Sequence, residues 1–212
     1  MAVNVWSNVQ IAVQSALGAN KTITGITKAN PAVVTSTAHG LSNGAYVTLS
    51  VQGMWQLDQV VARIANVAAN TFELEGIDAT SYDTFTSGTA NEVTFGTTLS
   101  SVSDINVSGG DFQMIDVTTI HDNVKKEIPG SASPVSISMT ANWDPSDAGL
   151  VALKSASDAR AQRAIRFTFS DSKKWVFNGY IGCTLSPTGQ AQNKVSTPLT
   201  ITAYGKPRAY TS

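Results

Sequence analysis

Residues 114–153 read MIDVTTIHDNVKKEIPGSASPVSISMTANWDPSDAGLVAL, four local signals in a fixed order. Val117, Thr118 and Thr119 close a strand, since β-branched side chains suit a pleated surface. A polar excursion follows through His121, Asp122, Asn123, Lys125, Lys126 and Glu127, and Pro129-Gly130 is expected to end it. Val135, Ile137 and Met139 then alternate with Ser136, Ser138 and Thr140, which buries one face of a strand and leaves the other polar. Last comes a helix start. Asp144 is expected to cap free amides, Pro145 suits the first turn, and Asp147 favours the positive end of the helix dipole. Leu150, Val151, Leu153, Ala156, Ala161 and Ala164 supply the apolar side. Arg160, Arg163 and Arg166 fall late, where cations complement free carbonyls.

Downstream, Ile165, Phe167 and Phe169 share a face, and residues 171–174 turn the chain into Trp175-Val176-Phe177. Val195, Thr197, Leu199, Ile201 and Ala203 alternate with polar residues. Pro198 cannot donate to a ladder, so this last strand is expected at an edge. Residues 205–210 lack a core pattern and read as an arm that reaches another copy. Upstream, residues 93–95, 102–107 and 112–118 suggest a meander with Gly109-Gly110 at its second reversal. Residues 9–17 fit a strand better than a helix because β-branched side chains dominate.

Between about residues 27 and 89 the texture changes to short strands separated by His39-Gly40, Asn43-Gly44, Gly53 and Ala69-Asn70, which suit tight reversals. The wording AHGLSNGAYVTLS (38–50) and ANTFELEG (69–76) is similar to a small β module common in phage structural proteins. That module also resembles the first catalytic-cysteine half-domain fold of ubiquitin-activating enzymes. The segment has no cysteine, so no enzymatic role carries over.

The larger pattern resembles the tail tube (major tail) protein of long-tailed bacteriophages. Its carriers are Asp116-Val117-Thr118-Thr119, Pro129-Gly130, the alternating strand and DPSDAGLVAL (144–153). The resemblance implies a mainly β fold: a tail-tube-type β-sandwich or barrel with one flanking α-helix, formed by residues 1–26 and 90–212. Residues 27–89 would be an inserted small β domain on the outer surface. It further implies six-membered rings that stack into a channel for DNA delivery, within a virion tail whose subunits are made in the host cytoplasm. The partners would be other copies of the chain, the tape measure and other tail proteins, and double-stranded DNA in transit without specific binding. On this reading His121, Asp122, Asn123, Lys125, Lys126 and Glu127 reach a neighbouring ring, and Ser136, Ser138 and Thr140 line the channel. The alternative is a ligand- or carbohydrate-binding β module of a tail tip or host-recognition protein, with Trp6, Trp55 or Tyr82 stacking on sugars.

Composition agrees with an assembly role. The 212 residues, 42% hydrophobic, can build a real core. No apolar run approaches the roughly 20 residues that span a bilayer, and the opening residues lack a basic-then-apolar export signal, so neither membrane insertion nor secretion is expected. Residues 1–124 carry three basic and ten acidic side chains, net −7; residues 125–212 carry eleven and five, net +6. Such asymmetry fits unlike surfaces meeting head to tail, a nucleic-acid site, or no function at all, and the absence of an Arg/Lys run with interleaved aromatics argues against a nucleic-acid groove. No nucleophile–base pair, phosphate loop or metal spacing stands out, so no catalysis, cofactor or metal is expected. Cys183 reads as a packed thiol and His39 as a support for its turn.

Overall fold

The computed structural model describes residues 6–211; residues 1–5, read with the larger body from sequence, and residue 212 lie outside the described residues. Along the chain run β1 (Gln10–Leu17), β2 (Lys21–Ile23), β3 (Gly25–Ile26), β4 (Ala32–Thr35), β5 (Tyr46–Gln52), β6 (Val61–Ala65), β7 (Thr71–Leu74), β8 (Ser87–Leu99), β9 (Val102–Ser108), β10 (Phe112–Asp116), β11 (Glu127–Ala132), β12 (Ser136–Asn142), α1 (Ala148–Asp158), β13 (Gln162–Thr168), β14 (Lys174–Cys183) and β15 (Ser196–Tyr210). The fold is mainly β with one α-helix among the described residues, as the resemblance implies. Strand order is β3-β4-β7-β6-β5-β8-β1-β13-β14-β15-β12-β9, with β2 also bonded to β8, while β10 and β11 form a separate ribbon.

One long strand serves two bodies. Residues 87–92 of β8 pair with β5 and residues 93–99 pair with β1. The β1–β8 ladder shifts register at Val13/Gln14 and again at Gln14/Ala16. Bulges of this kind increase local twist and bend a strand. Opposite them sits Gly96, where a Cβ would approach Ser15 Oγ to 2.5 Å, so the close approach needs glycine.

The hydrophobic side chains divide accordingly. Ile11 and Val13 of β1, Phe167 of β13, Ile201 of β15 and Ile137 and Met139 of β12 share one core. Strands β1 and β12 stand four places apart in the order, so they share a core only because the sheet curls over. Helix α1 fills the curl with Leu150, Leu153 and Ala156, all fully buried. Burial of each leucine contributes about 1.5–3 kcal/mol. A second core gathers Val34, Leu49, Ile64, Phe72 and Leu74 with Ile23, Ile26 and Ala90 from the flanking strands. A third, small cluster of Tyr46, Val61, Val93, Ala164, Val176 and Tyr210 lies between the two.

Several sequence expectations change. The helix cap is Asp147, whose Oδ1 accepts from Gly149 N at 2.7 Å and Leu150 N at 3.0 Å. Asp144 instead holds the preceding turn, accepting from the Ser146 amide at 2.8 Å. The helix stops at Asp158, so Arg160 lies beyond it at φ 51° and Arg163 and Arg166 lie in β13. No meander forms from residues 93–118, because β9 bonds β12 and β10 bonds β11. A two-residue hairpin turn needs positive φ, which neither Ser100 nor Ser101 adopts.

Strand β15 is interior, between β14 and β12. The Ala203 amide bonds Val135 O on the β12 side, so alternation points the Pro198 nitrogen toward β14, whose ladder ends at Cys183–Leu199. Proline is tolerated there because no carbonyl waits for its missing N–H. Residues 205–210 are not a free arm either. They continue β15 against β14 and end on Tyr210, which is buried.

Candidate functional site

The excursion singled out in the sequence is the tip of the β10–β11 ribbon. Met114 stands opposite Pro129, Ile115 opposite Ile128 and Asp116 opposite Glu127. Pro129-Gly130 therefore does not close the loop. Both residues lie inside β11, where a ribbon with two free edges has no further ladder for Pro129 to break.

The DVTT residues build the tip. Asp116 Oδ1 accepts from Thr118 N at 2.8 Å, and Thr118 Oγ1 accepts from Lys126 N at 3.0 Å. Asp122 Oδ2 accepts from the Thr119 amide at 3.0 Å and from its hydroxyl at 2.9 Å. Lys126 pairs with Asp122, and Lys125 with Glu127. The Lys126 ammonium, with the Thr119 donors behind it, holds the Asp122 carboxyl below its ordinary value, and the Thr118 hydroxyl and amide do the same for Asp116. His121 and Asn123 are exposed beside them. Six sequence-selected residues thus share one ordered tip.

Apolar side chains on this ribbon are uncovered. Ile120 at the tip is 97% exposed and Val124 73%, while Ile115, Val117 and Ile128 along the stem stand about half open. Soluble surfaces rarely leave so many large apolar groups together without a partner.

Ser136, Ser138 and Thr140 lie on the other face of β12 from Ile137 and Met139. Across β15 they meet Thr202, Thr200 and Pro198, and across β9 Ser108, Asn106 and Asp104. These nine residues form a hydroxyl- and amide-rich patch with no Lys or Arg. Among the described residues the curled sheet has open edges on both sides: β9 bonds only β12, and residues 93–99 of β8 bond only β1.

Sequence reading missed the junction of the two bodies. Arg63 forks onto Glu75, donates from Nη2 to Thr211 O at 2.9 Å, and stacks over the Tyr210 ring at 4.8 Å. The Arg166 guanidinium lies over Phe95 at 4.6 Å and Tyr46 at 5.6 Å. Asn178 donates to Gln59 O at 3.2 Å and Gln162 Oε1 at 2.8 Å. Burial raises both Tyr46 and Tyr210, whereas the bonds to Glu75 raise Arg63. Partners some 147 residues apart carry no local signal.

Reactive groups lie apart. His39 is buried in the second body, accepting at Nδ1 from Leu41 N at 3.1 Å and donating from Nε2 to Ala68 O at 2.9 Å. Burial raises the Cys183 thiol. Among the described residues no three His, Cys, Asp or Glu side chains gather as a metal site would require, and no helix is long and apolar enough to cross a membrane. The aromatic candidates for sugar stacking are dispersed: Trp6 leans on Phe167 and Phe169, Tyr82 packs on the second core, and Trp55 is exposed on a single 3-10 turn.

Comparison with protein families gives a match over most of the chain. Residues 52–212 fit the family described as phage tail tube protein, TTP. No curated protein matches the chain.

Proposed function

The chain belongs to the phage tail tube protein family, and on that premise we propose that its copies close into six-membered rings that stack into a channel for DNA delivery. Membership makes it a structural protein of the virion tail that assembles into a tube with other tail proteins. The observation that carries the finer reading is the pairing of two open sheet edges with an uncovered apolar ribbon. Exposed edges invite strand pairing from another chain. Lateral closure of β9 on the 93–99 segment of a neighbour's β8 removes both edges at once, and a rotation that closes gives a ring.

Axial stacking falls to the ribbon. Its tip residues His121, Asp122, Asn123, Lys125, Lys126 and Glu127 then contact the adjacent ring. Ser136, Ser138 and Thr140 face the lumen, where a patch without Lys or Arg lets phosphates pass without the salt-dependent retention that many cations impose. Residues 27–89 form an inserted module on the tube's outside. Support comes from the junction, which falls on β8, β13, β14 and the end of β15, while the sheet's curl carries the β12 patch round to another side. The tape measure and DNA are transient occupants of the lumen, and subunits are made in the host cytoplasm.

Negative-stain microscopy of the purified protein over a concentration series tests this reading. Rings and tubes are expected; dispersed small particles at every concentration would refute it.

A further inference from the structure

A groove of about 460 Å³ lies beside the end of β9, walled by Trp6, Val107, Phe169, Trp175 and Ala209, with Lys173 and Lys174 also lining it. Trp6 is 57% exposed and Val107 42%, so no described residue covers the groove. Lys173 pairs with Asp171, whereas Lys174 has no ion pair among the described residues.

The same chain carries a surface of the complementary kind. In the ribbon, Ile115 stands opposite Ile128, and alternation places Val117 on that face too. Gly130 supports the face: Ile115 Cδ1 lies 2.9 Å from where a Cβ would stand. Asp116 and Glu127 face the other way, with Lys125 between them. Met114, opposite Pro129 on the Asp116 side, and Phe112 are exposed as well, so the charge on that second side is confined to its tip half; a lone two-stranded ribbon is marginal in water without a surface to cover its apolar side. Its charge complements the groove: residues 111–132 hold four acidic and two basic side chains, net −2.

The ribbon supplies no residue to the lining of its own chain's groove. It leaves the sheet two residues after Val107, through Gly109 and Gly110 at φ 87° and 89°, and Pro134 O lies 2.3 Å from a Cβ at Gly109, which fixes the departure.

We propose that this groove receives the apolar face of the β10–β11 ribbon from a second copy of the chain, the ribbon's net negative charge favouring its approach to the Lys174 side. The inference rests on the tube reading and adds the receiving surface. Ile115, Val117 and Ile128 pack on Trp6, Phe169 and Trp175 of the neighbour, and both exposed apolar surfaces are removed from water in one contact.

Two separately tagged preparations test it, one carrying Ile128→Cys and the other Ala209→Cys, mixed, assembled and mildly oxidised. A disulfide joining the two tags is expected as the main product in assemblies and absent from either preparation alone. Tubes that assemble without that bond, or a bond from Ile128→Cys to a Val151→Cys partner on α1 in its place, would overturn the groove assignment while leaving the tube reading intact. Failure of the unmodified protein to form any assembly would overturn both. Ile115→Ser with Ile128→Ser gives an independent reading: these side chains are exposed, so thermal unfolding of the dispersed subunit should not move, while the concentration needed for assembly rises roughly tenfold or more. An unchanged assembly threshold would contradict the proposal.

Discussion

Arg63 and Tyr210 hold each other twice: the Arg63 amide donates to the Tyr210 hydroxyl at 3.0 Å, and its guanidinium lies 4.8 Å above the same ring. The relationship joins β6, in the second body, to the last residue of β15. It fixes how the strands of the second body sit on the large sheet. Tyr210→Phe keeps the ring and removes the acceptor, so a loss of about 1 kcal/mol is expected. Arg63→Ala removes the stack and leaves Glu75 without its partner, and should cost about 2–3 kcal/mol. Chemical denaturation measures both, and equal effects would contradict this division.

Tyr46 and Tyr210 predict a loss of stability in alkali. Burial raises both above the ordinary value of 10.0, so the folded protein holds these protons more tightly than the unfolded chain. Their stabilising contribution is complete below pH 10 and is lost as pH rises through the folded values. Denaturation midpoints should fall above about pH 10, and less steeply in Tyr46→Phe. An identical slope in both proteins would count against the junction as the cause.

The corrected helix cap gives a prediction opposite to propensity. Gly→Ala inside a helix ordinarily gains up to about 1 kcal/mol. At Gly149 a Cβ would stand 2.7 Å from Thr98 O and 3.1 Å from Leu99 Cγ, so Gly149→Ala should destabilise instead. Asp147→Ala should cost about 1 kcal/mol and Asp144→Ala less, because only Asp147 bonds the helix amides. Thermal melts of the three variants decide between the two aspartates.

His39 should matter for stability alone. Its two ring nitrogens tie residue 41 to residue 68, and its ring meets Phe72 edge-on at 5.1 Å. His39→Ala leaves the Leu41 amide unpaired in the interior and takes the donor from Ala68 O, and should cost about 1–3 kcal/mol. Retention of full stability would show that the turn needs no such tie.

Legibility followed the range of the interaction. The period-two runs in β12 and β15 identified their buried faces because alternation is a property of consecutive residues: Ile137, Met139, Leu199 and Ile201 are all buried. The order loop, strand, helix was readable for the same reason, whereas Val117, Thr118 and Thr119, read as the end of a strand, lie past β10 in the tip because their polar groups bond the loop. Pairing was not. Pro198 suggested an edge, yet its nitrogen faces the end of a ladder, a fact set by where β14 stops. Asp144, read as the cap, and Asp147, read as a dipole partner, differ only in which one meets free amides. The junction and the apolar groove join residues from distant parts of the chain, and neither leaves a trace in spacing. In the ribbon, Ile115, Val117 and Ile128 look like ordinary core residues until the structure leaves them uncovered.

Assembly by mutual completion of sheet edges is tested most directly by electron cryo-microscopy of the tube formed by the purified protein. The expected map shows β9 of each copy bonded to residues 93–99 of a neighbour, with Ser136, Ser138 and Thr140 on the lumen wall. A tube whose subunits touch through loops alone, with β9 open to solvent and those three residues on the outside, would contradict it.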